Sequence, residues 1–98
     1  MKMGAAEFYT HGHGTTPKEA FKNAREEAQW DSGHGGYSGT IAEKQSFTMI
    51  YIPNNSQAMA YAELLMEKED SRIVDKWGPA GCIKVKDGDY LFFGWASS

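Results

Sequence analysis

The sequence predicts a small α+β domain: an antiparallel or mixed sheet with two helices laid on one face. Three observations predict it. A helix-start signature stands at Thr16-Pro17-Lys18-Glu19, short apolar runs rich in aromatic and β-branched residues flank the helical segments, and Asp87-Gly88 separates two such runs as a hairpin turn. The resulting order of strand, helix, strand, helix and final hairpin fits one sheet with helical cover.

The elements follow in order. Residues 5–10 read as a first strand that enters the glycine-broken segment His11-Gly12-His13-Gly14. Alternation assigns Phe8 and Thr10 to one face, and Glu7, Tyr9, His11 and His13 to the other. Thr16 caps the first helix, Pro17 occupies its tolerated first position, and Glu19 completes a capping box. Ala20, Phe21, Ala24 and Ala28 form its apolar stripe, Trp30 lies near its end, and Gly33 is its expected stop. Residues 40–45 fit a short helical turn. Residues 46–52 are apolar on both faces and so read as the central strand, broken by Pro53-Asn54-Asn55. Residues 56–69 carry Ala58, Tyr61, Ala62 and Leu65 at helical spacing, backed by Met59 and Met66. Residues 71–77 read as a further short strand ended by Gly78-Pro79-Ala80-Gly81. Cys82 to Lys86 and Tyr90 to Trp95 then pair across the turn, with Lys84 and Lys86 on a solvated face.

Ninety-eight residues make one domain, 1–98, of a size that buries about two thirds of its unfolded surface. Three Trp, five Tyr and five Phe exceed what one small core readily absorbs, which points to a ligand surface or subunit interface. The expected exposed sheet face and the aromatic C-terminal strand add to the expectation of a homo-oligomer. A net charge of −3 without a basic stripe argues against duplex nucleic acid. One cysteine, Cys82, excludes an internal disulfide and fits a reducing compartment. No apolar run suggests a signal peptide or membrane span, so the expected location is the cytoplasm.

The chemically richest segment is Gly33-His34-Gly35-Gly36-Tyr37-Ser38-Gly39-Thr40, which holds four of the eleven glycines. It is not a P-loop, because no Gly-Lys-Ser/Thr ends it, and Ser38 stands where a dinucleotide fingerprint needs its third glycine. What remains is a generic anion-binding loop: N–H donors from His34, Gly35, Gly36, Tyr37, Ser38, Gly39 and Thr40, a possible helix start at Thr40, and Lys44 one turn on. The alternative is a long connection that needs glycines to turn. Lys76-Trp77-Gly78-Pro79 is the second candidate: Trp77 can stack a base while Lys76 meets a phosphate, or Trp77 can lid the sheet edge.

The histidines carry less. His11 and His13 share a strand face, as a two-histidine metal site requires, but no spacing supplies a third ligand from His34, Glu7 or Glu43, and no metal or other cofactor is predicted. His13-Gly14-Thr15 matches one His-x-Thr element of two-histidine phosphoesterases, which need two copies; the chain has one. Cys82 reads as a packed core thiol rather than a nucleophile.

The segments Gly33 to Lys44 and Asp75-Lys76-Trp77-Gly78-Pro79-Ala80-Gly81-Cys82 resemble segments of a small uncharacterised family of bacterial and phage proteins. The resemblance implies a shared fold and a shared site. In class alone, the chain is also similar to small acidic phage proteins that sequester nucleotide immune signals in the host cytoplasm. Three functions stay open at this point. The first is a non-catalytic module binding a small phosphorylated or nucleotide-like ligand at His34 to Thr40, Lys44, Lys76 and Trp77. The second is a module inhibiting a host protein. The third is a phosphoester enzyme using His34 or His11 and His13 with Glu43.

Overall fold

The computed structural model describes residues 4–32, 38–53 and 57–97. Its elements are β1 (Ala5–His13), α1 (Pro17–Ser32), a single 3-10 turn (Ile41–Glu43), β2 (Phe47–Met49), α2 (Ala58–Glu67), β3 (Ala80–Lys86) and β4 (Asp89–Ser97). The strands form one mixed sheet in the order β1-β4-β3-β2, antiparallel except for the parallel pair β2 and β3. The α+β class therefore holds. No helix among the described residues is long and apolar enough to cross a membrane.

The last strand, not residues 46–52, occupies the middle. From Tyr90 to Ser97 every residue of β4 is buried, and its two sides build two cores. Tyr90, Phe92 and Ala96 join Phe8, Cys82 and Ile41 with Ala20, Phe21 and Ala24 of α1. Leu91, Phe93 and Trp95 join Ile83 and Ile73 with Ala62, Leu65 and Met66 of α2. Successive strand residues point to opposite faces, so α1 and α2 cover opposite faces rather than one. The reason lies in β4: a strand apolar on both sides needs cover on both sides. On the α1 side three rings, Phe21, Phe47 and Phe92, meet with centroids 5.0–5.8 Å apart.

Residues 46–52 form only the three-residue edge strand β2. They are apolar on both sides because Phe47 and Met49 pack into the α1 core while Ile50 and Ile52 pack into the α2 core. Burial by helices from above and below mimics a central position. The predicted strand at 71–77 is also absent. Asp70 collects that segment into turns: its carboxylate accepts from Arg72 N at 2.9 Å, and its carbonyl accepts from Ile73 N and Val74 N at 3.0 Å. Asp75 repeats the device on Trp77 N, at 2.9 Å. Such local acceptors compete with a sheet ladder.

Other expectations hold with small shifts. Thr16 Oγ1 accepts from Glu19 N at 3.1 Å, but Glu19 reaches back to Thr15 N, at 2.9 Å, one residue before the predicted box partner. The second helix spans Ala58–Glu67; Ser56 lies outside the described residues, as does the Gly33 stop. It ends with Glu69 in the left-handed region (φ 52°) and Asp70 N donating to Leu65 O at 3.0 Å, a Schellman closure. The hairpin turns at Gly88 (φ 82°), and an irregularity between Lys84 and Lys86 leaves Val85 exposed.

α1 lies so close to β1 that Gly12 has no room for a side chain. A Cβ there would sit 2.6 Å from Ala20 O and 2.8 Å from the Phe92 ring. Gly12→Ala is expected to cost about 2 kcal/mol of unfolding free energy, in the overpacking range, measured by urea denaturation. An unchanged midpoint would show that α1 is not seated as described.

Candidate functional site

The turn after the glycine-rich segment is built by its own hydroxyls. Thr40, extended at φ −125° and ψ 177°, caps the Ile41–Glu43 turn by accepting from Ala42 N at 3.2 Å. Ser38 donates from N and Oγ to Glu43 Oε2 at 3.1 and 2.8 Å, and its Oγ lies 2.7 Å from Thr40 Oγ1. Gly39, at φ 69°, donates its N–H to Ser97 O at 2.8 Å and so ties the loop to the end of β4. The backbone N–H groups of Ser38, Gly39, Ala42, Glu43 and Lys44 thus all end on acceptors within the chain. This part of the predicted anion loop holds itself.

Lys44 departs furthest from expectation. Only 1% of it is exposed. Its Nζ donates to the carbonyls of Asp75 and Lys76, both at 3.2 Å, and of Gly78 at 2.9 Å. An ammonium group has three donors, and all three have an acceptor here. The residue expected to meet a ligand's phosphate is a pin joining the two segments that stood out in the sequence. Burial pushes its amine down to about 8, and the Asp75 carboxylate works against that drop.

The pinned turn carries the exposed chemistry. Trp77 N and Gly78 N donate to Oδ1 and O of Asp75, both at 2.9 Å, and Ala80 N donates to Ser46 O at 3.0 Å. Trp77 is 65% exposed. Lys76 Nζ stands 5.3 Å from the centre of its ring and contacts Gly4 O at 3.4 Å. Beside them lies a shallow cleft of about 570 Å³ lined by Glu43, Gln45, Ser46, Trp77, Gly78 and Pro79. Of the predicted site residues, Ser38, Gly39 and Thr40 shape the wall behind Glu43, Lys44 lies beneath, and Lys76 and Trp77 stand at the rim. His34, Gly35, Gly36 and Tyr37 lie outside the described residues. Gln45 and Ser46 escaped the sequence reading as cleft residues, their one signal being position directly after the first motif, while Pro79 stood in the second motif without a role.

The remaining candidates sit elsewhere. His11 and His13 share a strand face as predicted, and both turn toward Asp89: Nδ1 lies 3.1 and 3.7 Å from its Oδ1. That face is the one on which Tyr9 packs, whereas the Glu43 turn packs through Ile41 on the other. The sheet separates the two histidines from Glu43, so the acid–base pairing of His11 or His13 with Glu43 is not assembled. Among the described residues no group of three His, Cys, Asp or Glu side chains is arranged to hold a metal. Cys82 is buried, and burial pushes its thiol up to about 12, far from a reactive thiolate.

Comparison with protein-family models gives no match, and comparison with curated proteins and with solved structures gives none.

Two outcomes test the pin. Lys44→Met is expected to lower stability by about 3 kcal/mol, because three buried carbonyls lose their donor. The pH dependence has a sign as well. Between about 8 and the ordinary lysine value of 10.5 the unfolded chain holds a proton that the folded chain has shed. In that window wild-type stability should therefore rise with pH relative to Lys44→Met. Parallel denaturation curves at pH 7.5 and 9.5 read both, and a variant as stable as wild type at each pH would contradict the pin.

Proposed function

We propose that the chain is a non-catalytic binding module that holds a small, planar, nucleotide-like ligand against Trp77. The observation that carries this reading is Trp77 itself: a large ring left exposed on a turn fixed from below by Lys44, with an amine over it and a cleft beside it. An exposed aromatic ring stacks any nucleobase, with a contribution of about 1–3 kcal/mol per base. Glu43 supplies the cleft with acceptors. Ser38 occupies Oε2, and a carboxylate has about four acceptor sites, so capacity remains for the exocyclic amine of a base.

Charge recognition then falls on Lys76. Ser38 and Gly39 of the glycine-rich loop spend their N–H groups on Glu43 and Ser97, so in this reading a phosphate is met by the half-buried Lys76 amine at the Trp77 ring rather than by those two groups. The resemblance of the two segments to bacterial and phage proteins is the ground for reading the chain as a module that sequesters a nucleotide signal. A second reading, docking to a host protein, draws on Trp30 and Tyr51, which are 86% and 82% exposed and lie outside the cleft.

Calorimetric titration with mononucleotides, cyclic dinucleotides and the parent nucleosides tests the assignment. Trp77→Ala should weaken binding by about ten- to a hundredfold, while Trp77→Phe should retain most of it. Lys76→Ala should weaken phosphorylated ligands more than nucleosides. A panel that leaves the wild-type protein silent would transfer the function to a protein partner.

A further inference from the structure

The sheet has two edges, and they are unlike. β2 spans three residues and Pro53 follows shortly after it, which leaves little edge to extend. β1 spans nine residues, and no strand lies beyond it among the described residues. Three devices that blunt an edge are missing from β1 itself: Ala5–His13 contains no lysine and no proline, and its pairing with β4 runs without a register shift.

The hydrogen-bond phase shows what this edge offers. One step past the pair His13↔Asp89, Gly14 N donates to Gly88 O at 3.2 Å. Antiparallel ladders alternate between bonded and non-bonded pairs, so the even-numbered residues of β1 bond to β4. Ala5, Glu7, Tyr9, His11 and His13 then turn their N–H and C=O groups outward. Asn23 Nδ2 caps the carbonyl of His13 at 2.8 Å, which closes the far end of the row.

We infer that this edge pairs with the same edge of a second copy of the chain, antiparallel, to join two four-stranded sheets into one of eight. The register follows from overlap and charge. Pairing all nine residues puts Tyr9 on the two-fold axis and sets Glu7 opposite His11 of the partner subunit. Both Glu7 and His11 are exposed in the single chain. Centring the axis on Glu7 instead would oppose two carboxylates, which is unfavourable. The favoured register opposes no two carboxylates: it sets Glu7 against an imidazole whose Nδ1 is held by Asp89, once on each side of the axis. The basis for association thus differs from the sequence expectation: both sheet faces are covered and the aromatic last strand is central, so the contact passes to the first strand.

Sedimentation equilibrium and amide hydrogen exchange on the full chain test this together. A dimer is expected in which the amides of Glu7, Tyr9 and His11 are as protected as those of Ala6, Phe8 and Thr10. On dilution the odd-numbered amides alone should lose protection. Glu7→Lys should raise the dimer dissociation constant by about tenfold, since it replaces two favourable contacts by unfavourable ones. A monomer at every concentration would overturn the inference. So would a dimer whose odd-numbered amides exchange freely.

Discussion

One buried ammonium group holds the arrangement in place. Lys44 brings a full charge into the protein and offsets its desolvation with three carbonyls, those of Asp75, Lys76 and Gly78. A charge left unpaired at such a position costs several kcal/mol, so the three carbonyls must stay convergent while the chain is folded. That requirement shapes the 75–78 turn, and the turn in turn sets Trp77 outward and brings Ala80 N onto Ser46 O, where β3 starts beside β2. Lysine suits the place because its ammonium is compact and offers three donors from one atom. A planar guanidinium would spread its donors over a fork that three carbonyls on one short turn do not match.

Around that pin, β4 divides the interior. Its alternating side chains supply one core to α1 and another to α2, so each helix has its own half of the sheet's apolar surface. Close approach is built in on both sides. Gly12 admits the α1 backbone and the Phe92 ring, and Gly81 admits Phe93 and Ile73, whose atoms would lie 2.7 and 2.9 Å from an added Cβ. A chain this short cannot form one thick core; it forms two thin ones that share a single strand.

Much of this was legible in the sequence. The helix start at Thr16, the stripe from Ala20 to Ala28, the Asp87-Gly88 hairpin and the capped turn at Thr40 are local signals, and local hydrogen bonds reproduce them. What failed was non-local. Residues 46–52 and 90–96 carry the same two-sided apolar pattern, and composition cannot say which is flanked by strands and which by helices. Val74 and Ile73 suggested a strand, yet Asp70 and Asp75 captured the backbone first. The two segments picked out by pattern do meet in space, through Lys44, whose burial the sequence did not show, because a lysine in a glycine- and hydroxyl-rich stretch looks like a ligand contact.

That misjudgement changes the chemistry assigned to the surface. In its described part the loop delivers the N–H groups of Ser38 and Gly39 to Glu43 and Ser97, so Gly39 serves the route of the chain. The proposed recognition therefore rests on side chains rather than backbone, and on shape more than charge. Trp77 offers area at little entropic cost because its turn is already fixed, and Glu43 offers acceptors because Ser38 already orients it. Rigidity supplied from beneath by Lys44 makes both useful, since a ring on a loose loop would lose to disorder what it gains by stacking. In the proposed binding mode the buried lysine contributes without touching a ligand: it fixes the turn from which Trp77 projects.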